Sequence, residues 1–351
     1  MKTLFVALLL IAFTVGCGNQ ESAVNVGPVA DAPPPPDKHE FVGVLRPFDN
    51  LPEVEVTAKT RRFNFVYGVA ITDLKPGQKA RVWIPVATRN HDQEVTLTKV
   101  NIPGEYKRTL EKRYNNSLFY FEGEANEKGE IPIELVYDVI RFEVTRTNYE
   151  IAVNLGDMFL GFSSKVPVDD SVKKVILGAG QPKGKTLEMA KSVYDAVLNH
   201  MDYEKPADRP GWGNGDASWA CDNGIGNCTD FHSVFISTTR NLEIPSKFEI
   251  GFPIPDKLGK GKVGGYHCWA KFISDDFWVP VDISEADKNP ELAEYFFGSI
   301  NTNRILFSVG RDLQLQPSPK AKSVNYLVYP YVEVDGKPHE GLRKEFRYED
   351  L

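Results

Sequence analysis

Three residues of this 351-residue chain, Cys228, His267 and Asp282, have the types, order and settings that nucleophilic chemistry at a carbonyl requires. Cys228 lies in Gly226-Asn227-Cys228-Thr229-Asp230-Phe231-His232 and His267 in Tyr266-His267-Cys268-Trp269, while Asp282 closes Trp278-Val279-Pro280-Val281-Asp282. A thiolate attacks an acyl carbon, an imidazole takes and returns the proton, and a carboxylate fixes the imidazole tautomer. Chemistry of that kind needs no cofactor, and none is expected.

Local pattern indicates how each side chain is delivered. Gly224-Ile225-Gly226-Asn227 predicts a turn, and Val234, Phe235, Ile236 and Leu242 a helix after it, which puts Cys228 in the first helical turn. Unpaired N–H groups and the positive end of the dipole favour a thiolate there, and the same N–H groups suit an oxyanion. Residues 266–273 and 277–282 alternate around Ser274-Asp275-Asp276, a hairpin signal. Pairing Ile273 with Asp276 sets His267 directly opposite Asp282, with Cβ atoms about 4.5–5.5 Å apart. A slip of one residue would turn the two side chains to opposite faces.

These motifs resemble the transglutaminase-like superfamily of papain-like thiol enzymes: G-x-C opening a helix, H-x-W on a strand, and an aspartate ending the next strand. Gly226-Asn227-Cys228, His267-Cys268-Trp269 and Val281-Asp282 match residue by residue. The likeness continues through Ile244-Pro245, Gly264-Gly265-Tyr266, Ser284-Glu285-Ala286, Tyr295-Phe296-Phe297-Gly298 and Tyr329-Pro330-Tyr331, covering residues 185–340. The resemblance implies a papain-like α+β core, a Cys228–His267–Asp282 triad and acyl transfer at an amide through a thioester. The acyl group then passes to water (peptidase or amidase) or to an amine (transamidase), and the implied partner is a peptide or protein amide. The calcium-dependent cross-linking enzymes of animals are less similar. They carry Gln and Trp beside the nucleophile where this chain has Asn227 and Thr229, so neither their calcium requirement nor their acyl-acceptor preference is implied.

Other readings of the same residues stay open. A non-catalytic lipoprotein that binds peptides or cell-wall polymers in the cleft would use the same fold. Cys221, Cys228, His232, His267 and Cys268 are all metal-ligand types, but their spacing lacks the closely paired ligands of a structural zinc site, so no metal is expected. With Cys228 as nucleophile, Cys221 and Cys268 are left as the possible disulfide, or as two buried thiols behaving as small hydrophobes. Trp269 shares a strand face with His267 and is expected in the substrate groove, ahead of Trp212 and Trp219. His232 reads as a helix-packing or capping residue. Lys257-Leu258-Gly259-Lys260-Gly261-Lys262 reads as a solvated loop or as a lid.

The N-terminus points to the cell envelope. Lys2 and the twelve-residue apolar stretch Leu4–Val15 fit a secretion signal over residues 1–16, too short to span a bilayer. Thr14-Val15-Gly16-Cys17 resembles a bacterial lipobox with Thr14 in place of the usual Leu, which makes Cys17 the expected lipidation site. Gly18 resembles the outer-membrane address, so the expected location is the periplasmic side of that membrane. Residues 17–58 form the tether: positions 18–58 hold seven prolines, including Pro33-Pro34-Pro35-Pro36. A net charge of −7, with no long basic run, argues against nucleic acid as a partner class.

From Arg61 the pattern has period two, with Phe63, Phe65, Tyr67, Val69 and Ile71 alternating against polar residues. Further runs at 80–86, 94–100, 117–121 and 131–139, separated by turn clusters, predict an antiparallel β-sandwich over residues 59–167. Arg81-Val82-Trp83-Ile84-Pro85 also resembles the accessory β domain that precedes bacterial transglutaminase-like cores. Residues 168–351 are expected to form the catalytic α+β domain, opening with a helix from Thr186 through Met201. The fold class is therefore α+β, a sandwich followed by a transglutaminase-like core. The number of subunits is not readable.

Overall fold

Alternation of large apolar and polar residues becomes strand wherever it runs for five residues or more. The computed structural model describes residues 58–351, apart from 154–155, 181, 207, 209 and 321–322, together with the two-residue strand Val26–Gly27. The expected signal segment, Cys17 and the rest of the tether lie outside the described residues.

Two five-stranded antiparallel sheets form the sandwich. One runs Lys260–Val263, Leu342–Asp350, Thr60–Ile71, Ile131–Phe142, Gln93–Asn101; the other runs Lys337–Pro338, Tyr331–Val334, Lys79–Pro85, Ser117–Glu124, Tyr106–Leu110. Phe63, Phe65, Tyr67 and Tyr137 from the first meet Val82, Ile84 and Phe121 from the second in one buried cluster. The expected division after residue 167 is not a division of sheets, because the C-terminal strands close the sandwich. Leu342–Asp350 pairs along Phe63–Ile71, and Tyr331–Glu333 pairs with Arg81–Trp83. Lys260–Val263 is likewise an edge strand on Phe346–Glu349, so the basic segment read as a loop or lid is loop only as far as Gly259 and strand from Lys260.

A third antiparallel sheet carries the site: Arg304–Val309, Ser246–Pro253, His267–Ser274, Phe277–Val281 and Glu150–Ile151. Gly251 sits at a bulge in it, where a Cβ would lie 1.8 Å from the Ile305 carbonyl oxygen, so only glycine permits that pairing. Helices Thr186–His200 and Cys228–Asn241 pack on one face. The same sheet is fused to the sandwich by an aromatic cluster of Phe65, Tyr67, Phe252, Phe307 and Phe346, with ring centroids 4.4–6.3 Å apart. Buried ion pairs add to that junction, with Lys271 Nζ 2.5 Å from Asp92 Oδ2 and Arg141 Nη2 3.4 Å from the same oxygen.

The Cys228–Asn241 helix is buried on every side at thirteen of its residues, although it is rich in hydroxyls. Its hydroxyls turn back onto its own carbonyls: Ser233 donates to Thr229 O, Thr238 to Val234 O and Thr239 to Phe235 O. That local bonding lets a polar sequence lie in a core without unpaired groups.

Candidate active site

Cys228 is the first residue of its helix, as the sequence predicts. Asn227 is the N-cap, with Oδ1 accepting from Thr229 N at 2.8 Å and Asp230 N at 3.4 Å. Asp230 completes the box by accepting from Asn227 N at 3.0 Å. The cap thus takes two of the amides expected to serve an oxyanion, leaving the Cys228 amide as the helix-start donor it does not use.

The hairpin differs from the expected register. Ser274 pairs with Phe277 and Ala270 with Val281, so the loop is Asp275-Asp276, at φ 48° and 66°, and not Ser274-Asp275. A two-residue loop with both residues at positive φ matches strand twist, and aspartate tolerates that conformation better than serine. The register moves by two residues along the partner strand, which preserves the face. Asp282 is not directly opposite His267 but one step past the last strand residue, Val281, where it caps the helix Ile283–Lys288.

From there it reaches the histidine. His267 Nε2 lies 2.7 Å from Asp282 Oδ2, which leaves Nδ1 as the ring nitrogen for the Cys228 thiol, whose proximity helps to raise the ring's pKa. His267 and Cys228 meet at one end of the sheet because one opens its strand and the other opens its helix. All three side chains are buried, Cys228 being 3% exposed, His267 5% and Asp282 not at all.

The electrostatics follow from that burial and pairing. Burial opposes a thiolate at Cys228, but hydrogen bonds from Cys268 and His267 and the imidazolium charge hold its pKa well below the usual range. Burial also opposes the imidazolium, yet the Asp282 charge and hydrogen bond, reinforced by Cys228, raise His267 to about 9. Burial alone would lift Asp282; His267 and Arg304 keep it ionised well below the ordinary carboxylate value. A thiolate–imidazolium pair held by a carboxylate is the arrangement these shifts describe.

Two residues of the site escaped the sequence reading. Arg304 Nη1 donates to Asp282 Oδ2 at 2.8 Å, and its guanidinium lies 5.0 Å from the Trp269 ring centroid. Twenty-two residues and a turn of chain separate it from Asp282, and no local pattern announces it. Asp230 accepts from Gly213 N at 2.7 Å and Gly215 N at 2.9 Å as well as from Asn227, tying the 204–216 loop to the start of the nucleophile helix. Burial lifts its carboxyl to about 7 against those three N–H donors. The Asn227-x-x-Asp230 capping pattern was available to find it.

Two expectations need correction. Cys221 and Cys268 do not form a disulfide; Cys221, Cys228 and Cys268 are all free. Cys268 points towards the nucleophile helix, with Sγ 3.9 Å from Thr229 Oγ1 and 3.7 Å from His232 Nδ1, whereas Cys221 sits on the separate helix Ala217–Asn223. Trp269 does not line a groove. It is fully buried behind His267, its indole donating to Glu249 Oε2 at 2.6 Å. The Cys/His metal reading gathers no site, since among the described residues no three His, Cys, Asp or Glu side chains are placed to hold an ion. The groups that do border the solvent side are Tyr203, Glu285 and Lys288. Glu285 Oε1 lies 4.0 Å from His267 Nε2 and 2.8 Å from Lys288 Nζ, which itself stands 4.1 Å from the Tyr203 ring centroid.

A capped cysteine helix crossing an antiparallel sheet that supplies His and Asp defines a transglutaminase-like α+β core. Residues 172–283 match the family model of the transglutaminase-like superfamily. An uncharacterized protein of Haemophilus influenzae is 25% identical over 351 residues, covering 86% of this chain and 93% of its own. The crystal structure of a proposed cysteine protease from Cytophaga hutchinsonii is similar at 16% identity and a TM-score of 0.49, over 82% of this chain and 98% of that one. The periplasmic domain of TgpA from Pseudomonas aeruginosa is similar at 13% identity and a TM-score of 0.34, over 68% and 94%.

Proposed function

We propose that the protein is a cysteine enzyme transferring an acyl group from an amide, and that it works in the cell envelope, held to the membrane by lipid on Cys17. The observation carrying this reading is the His267 ring, bonded through Nε2 to Asp282 at 2.7 Å, with Cys228 at the start of the buried helix beside it. The Cys228 thiolate attacks the amide carbonyl, and the oxyanion meets the Cys228 amide. The imidazolium protonates the leaving amine as the C–N bond breaks, giving a thioester on Cys228. His267, now neutral, takes a proton from water or from an incoming amine, whose attack on the thioester releases the product and restores the ion pair.

The test is alkylation. In the native protein at mildly acidic pH, iodoacetamide should label Cys228 and leave Cys221 and Cys268 untouched, and His267→Ala should slow that reaction at least tenfold. Labelling of Cys228 at the rate of a model thiol would sink the proposal and favour a peptide-binding module. A substrate screen with and without a primary amine then separates hydrolysis from transamidation. For the anchor, Cys17→Ser should move the mature protein from the detergent phase to the aqueous phase; a wild-type protein already in the aqueous phase would end that part of the reading.

A further inference from the structure

His232 is fully buried, lies one helical turn after Cys228, and takes part in none of the steps above. Its two ring nitrogens have opposite hydrogen-bonding roles. Nδ1 is 2.7 Å from the Cys228 carbonyl oxygen, which only accepts, so Nδ1 carries the proton and donates. Nε2 accepts from the backbone N–H of Ile283 at 3.1 Å, so it carries none. The ring is therefore neutral, in one tautomer. Burial agrees with this by holding its pKa below the ordinary value, against the pull of Asp282, whose Oδ1 lies 3.8 Å from Nε2. The other titratable groups around it are Cys228, His267 and Cys268.

Ile283 follows Asp282 directly and opens the helix that Asp282 caps. The His232 ring thus spans from the peptide of Cys228 to the peptide beside Asp282, by a path that bypasses His267. We propose that His232 is a positioning residue: it fixes the separation of Cys228 and Asp282 so that the His267 ring between them meets both. The inference rests on the triad reading of those three residues. Packing alone would be served by an apolar ring of similar size. It would not need a donor and an acceptor aimed at these two peptides, and loss of the acceptor leaves the buried Ile283 N–H unpaired.

The test uses the full chain with His232→Ala, His232→Gln and His232→Asn. The rate of Cys228 alkylation by iodoacetamide is followed against pH, with thermal melting measured alongside. The glutamine oxygen reaches the position of Nε2 and keeps the bond from Ile283; the asparagine amide reaches only the position of Nδ1. His232→Ala should raise the midpoint of the alkylation profile by about one pH unit, making labelling about tenfold slower on its acid side. His232→Gln should return most of that shift. A lowered melting temperature with an unchanged midpoint in His232→Ala would reduce His232 to packing and overturn the proposal. If the alanine variant does not fold, the other two decide: a higher midpoint in Asn than in Gln supports positioning, and equal midpoints refute it. Wild-type labelling at model-thiol rates would overturn the triad reading and this proposal together, whereas acid-side labelling unaltered by His232→Ala would overturn only the latter.

Discussion

Replacing Asp282 by asparagine should reverse the sign of one contribution to stability. Asp282 Oδ2 accepts from His267 Nε2 at 2.7 Å and Arg304 Nη1 at 2.8 Å, while Oδ1 accepts from Glu285 N at 3.2 Å. Asparagine has a single oxygen. Turned to the helix cap, its NH2 faces two donors; turned to His267, it uncaps the helix. In the wild type His267 is raised from 6.5 to about 9, chiefly by Asp282 working against burial. At about 1.4 kcal/mol per pH unit that gap is worth at most about 3.5 kcal/mol. A base with a raised folded-state pKa gives its full stabilisation below the unfolded value, here 6.5, and loses it as pH rises towards about 9. Without the carboxylate, burial outweighs what the Glu285 carboxylate, 4.0 Å from Nε2, still contributes, and His267 should fall below 6.5. The folded state then binds the proton less readily than the unfolded chain, and stability should rise with pH as it passes through 6.5.

The measurement belongs in a Cys228→Ser background, which removes the thiol proton that titrates together with His267. Urea unfolding from about pH 5.5 to 9.5 should give a falling curve with Asp282 present and a rising one with asparagine, and the imidazole resonances of His267 should titrate to match. Breaking the buried Arg304–Asp282 pair adds a loss of about 3–5 kcal/mol, but that loss does not vary across the window. The slope is therefore the quantity that decides. Parallel curves for the two proteins would refute the argument that Asp282 sets the charge of His267.

Asp230→Asn leaves at least one of the N–H groups of Gly213, Gly215 and Asn227 facing a donor, and should cost about 2–4 kcal/mol. Urea midpoints and faster proteolysis within residues 204–216 would register it; an unchanged midpoint would mean the clamp contributes nothing. Gly215→Ala should destabilise by a similar amount, because at φ 61° its Cβ would stand 2.5 Å from Thr229 Cγ2 and 2.8 Å from Arg311 Nη2. A variant within about 0.5 kcal/mol of wild type would contradict that geometry. In the other direction, Asp276→Gly should stabilise the hairpin by about 0.5–1 kcal/mol, since glycine holds φ 66° without strain; a lowered melting temperature would count against the turn assignment.

Local signals carried the nucleophile and the strands of the sandwich, and failed where a tertiary partner decides. Cys228 was legible because a Gly-Asn turn and a following apolar periodicity both mark the same helix start. Thr60–Ile71 and Ile131–Phe142 were legible because one face of each is buried and the other is not, which writes period two into the sequence. Tyr106–Leu110 was not, being mostly exposed, nor was Leu342–Asp350, whose alternation sets only Phe346 and Tyr348 into the core among many charged residues. The His267–Asp282 face was predicted correctly from a register that was itself off by two, because side-chain direction depends only on parity. Trp269 was misplaced for a different reason. Sharing a face with His267 says nothing about what covers that face, and Arg304, Glu249 and Arg141 cover it.

The site is assembled by bonds that also hold the fold, which explains why so few residues build it. Asn227 and Asp230 cap the helix that presents Cys228, and Asp230 also anchors the 204–216 loop. Asp282 is at once the cap of the next helix, the acceptor for His267 and the partner of Arg304. Because each oxygen of Asp282 has a separate duty, the carboxylate cannot rotate to satisfy one partner without abandoning another. The imidazole inherits that restriction: its Nε2 is fixed on Oδ2, so its Nδ1 can aim only along one direction, towards the first turn of the Cys228 helix. That helix is itself buried on all sides and cannot turn away. Geometry loose enough to be reset by a single rotamer would not keep a thiolate beside an imidazolium; here the same hydrogen bonds that satisfy buried backbone and charge leave the ring one orientation.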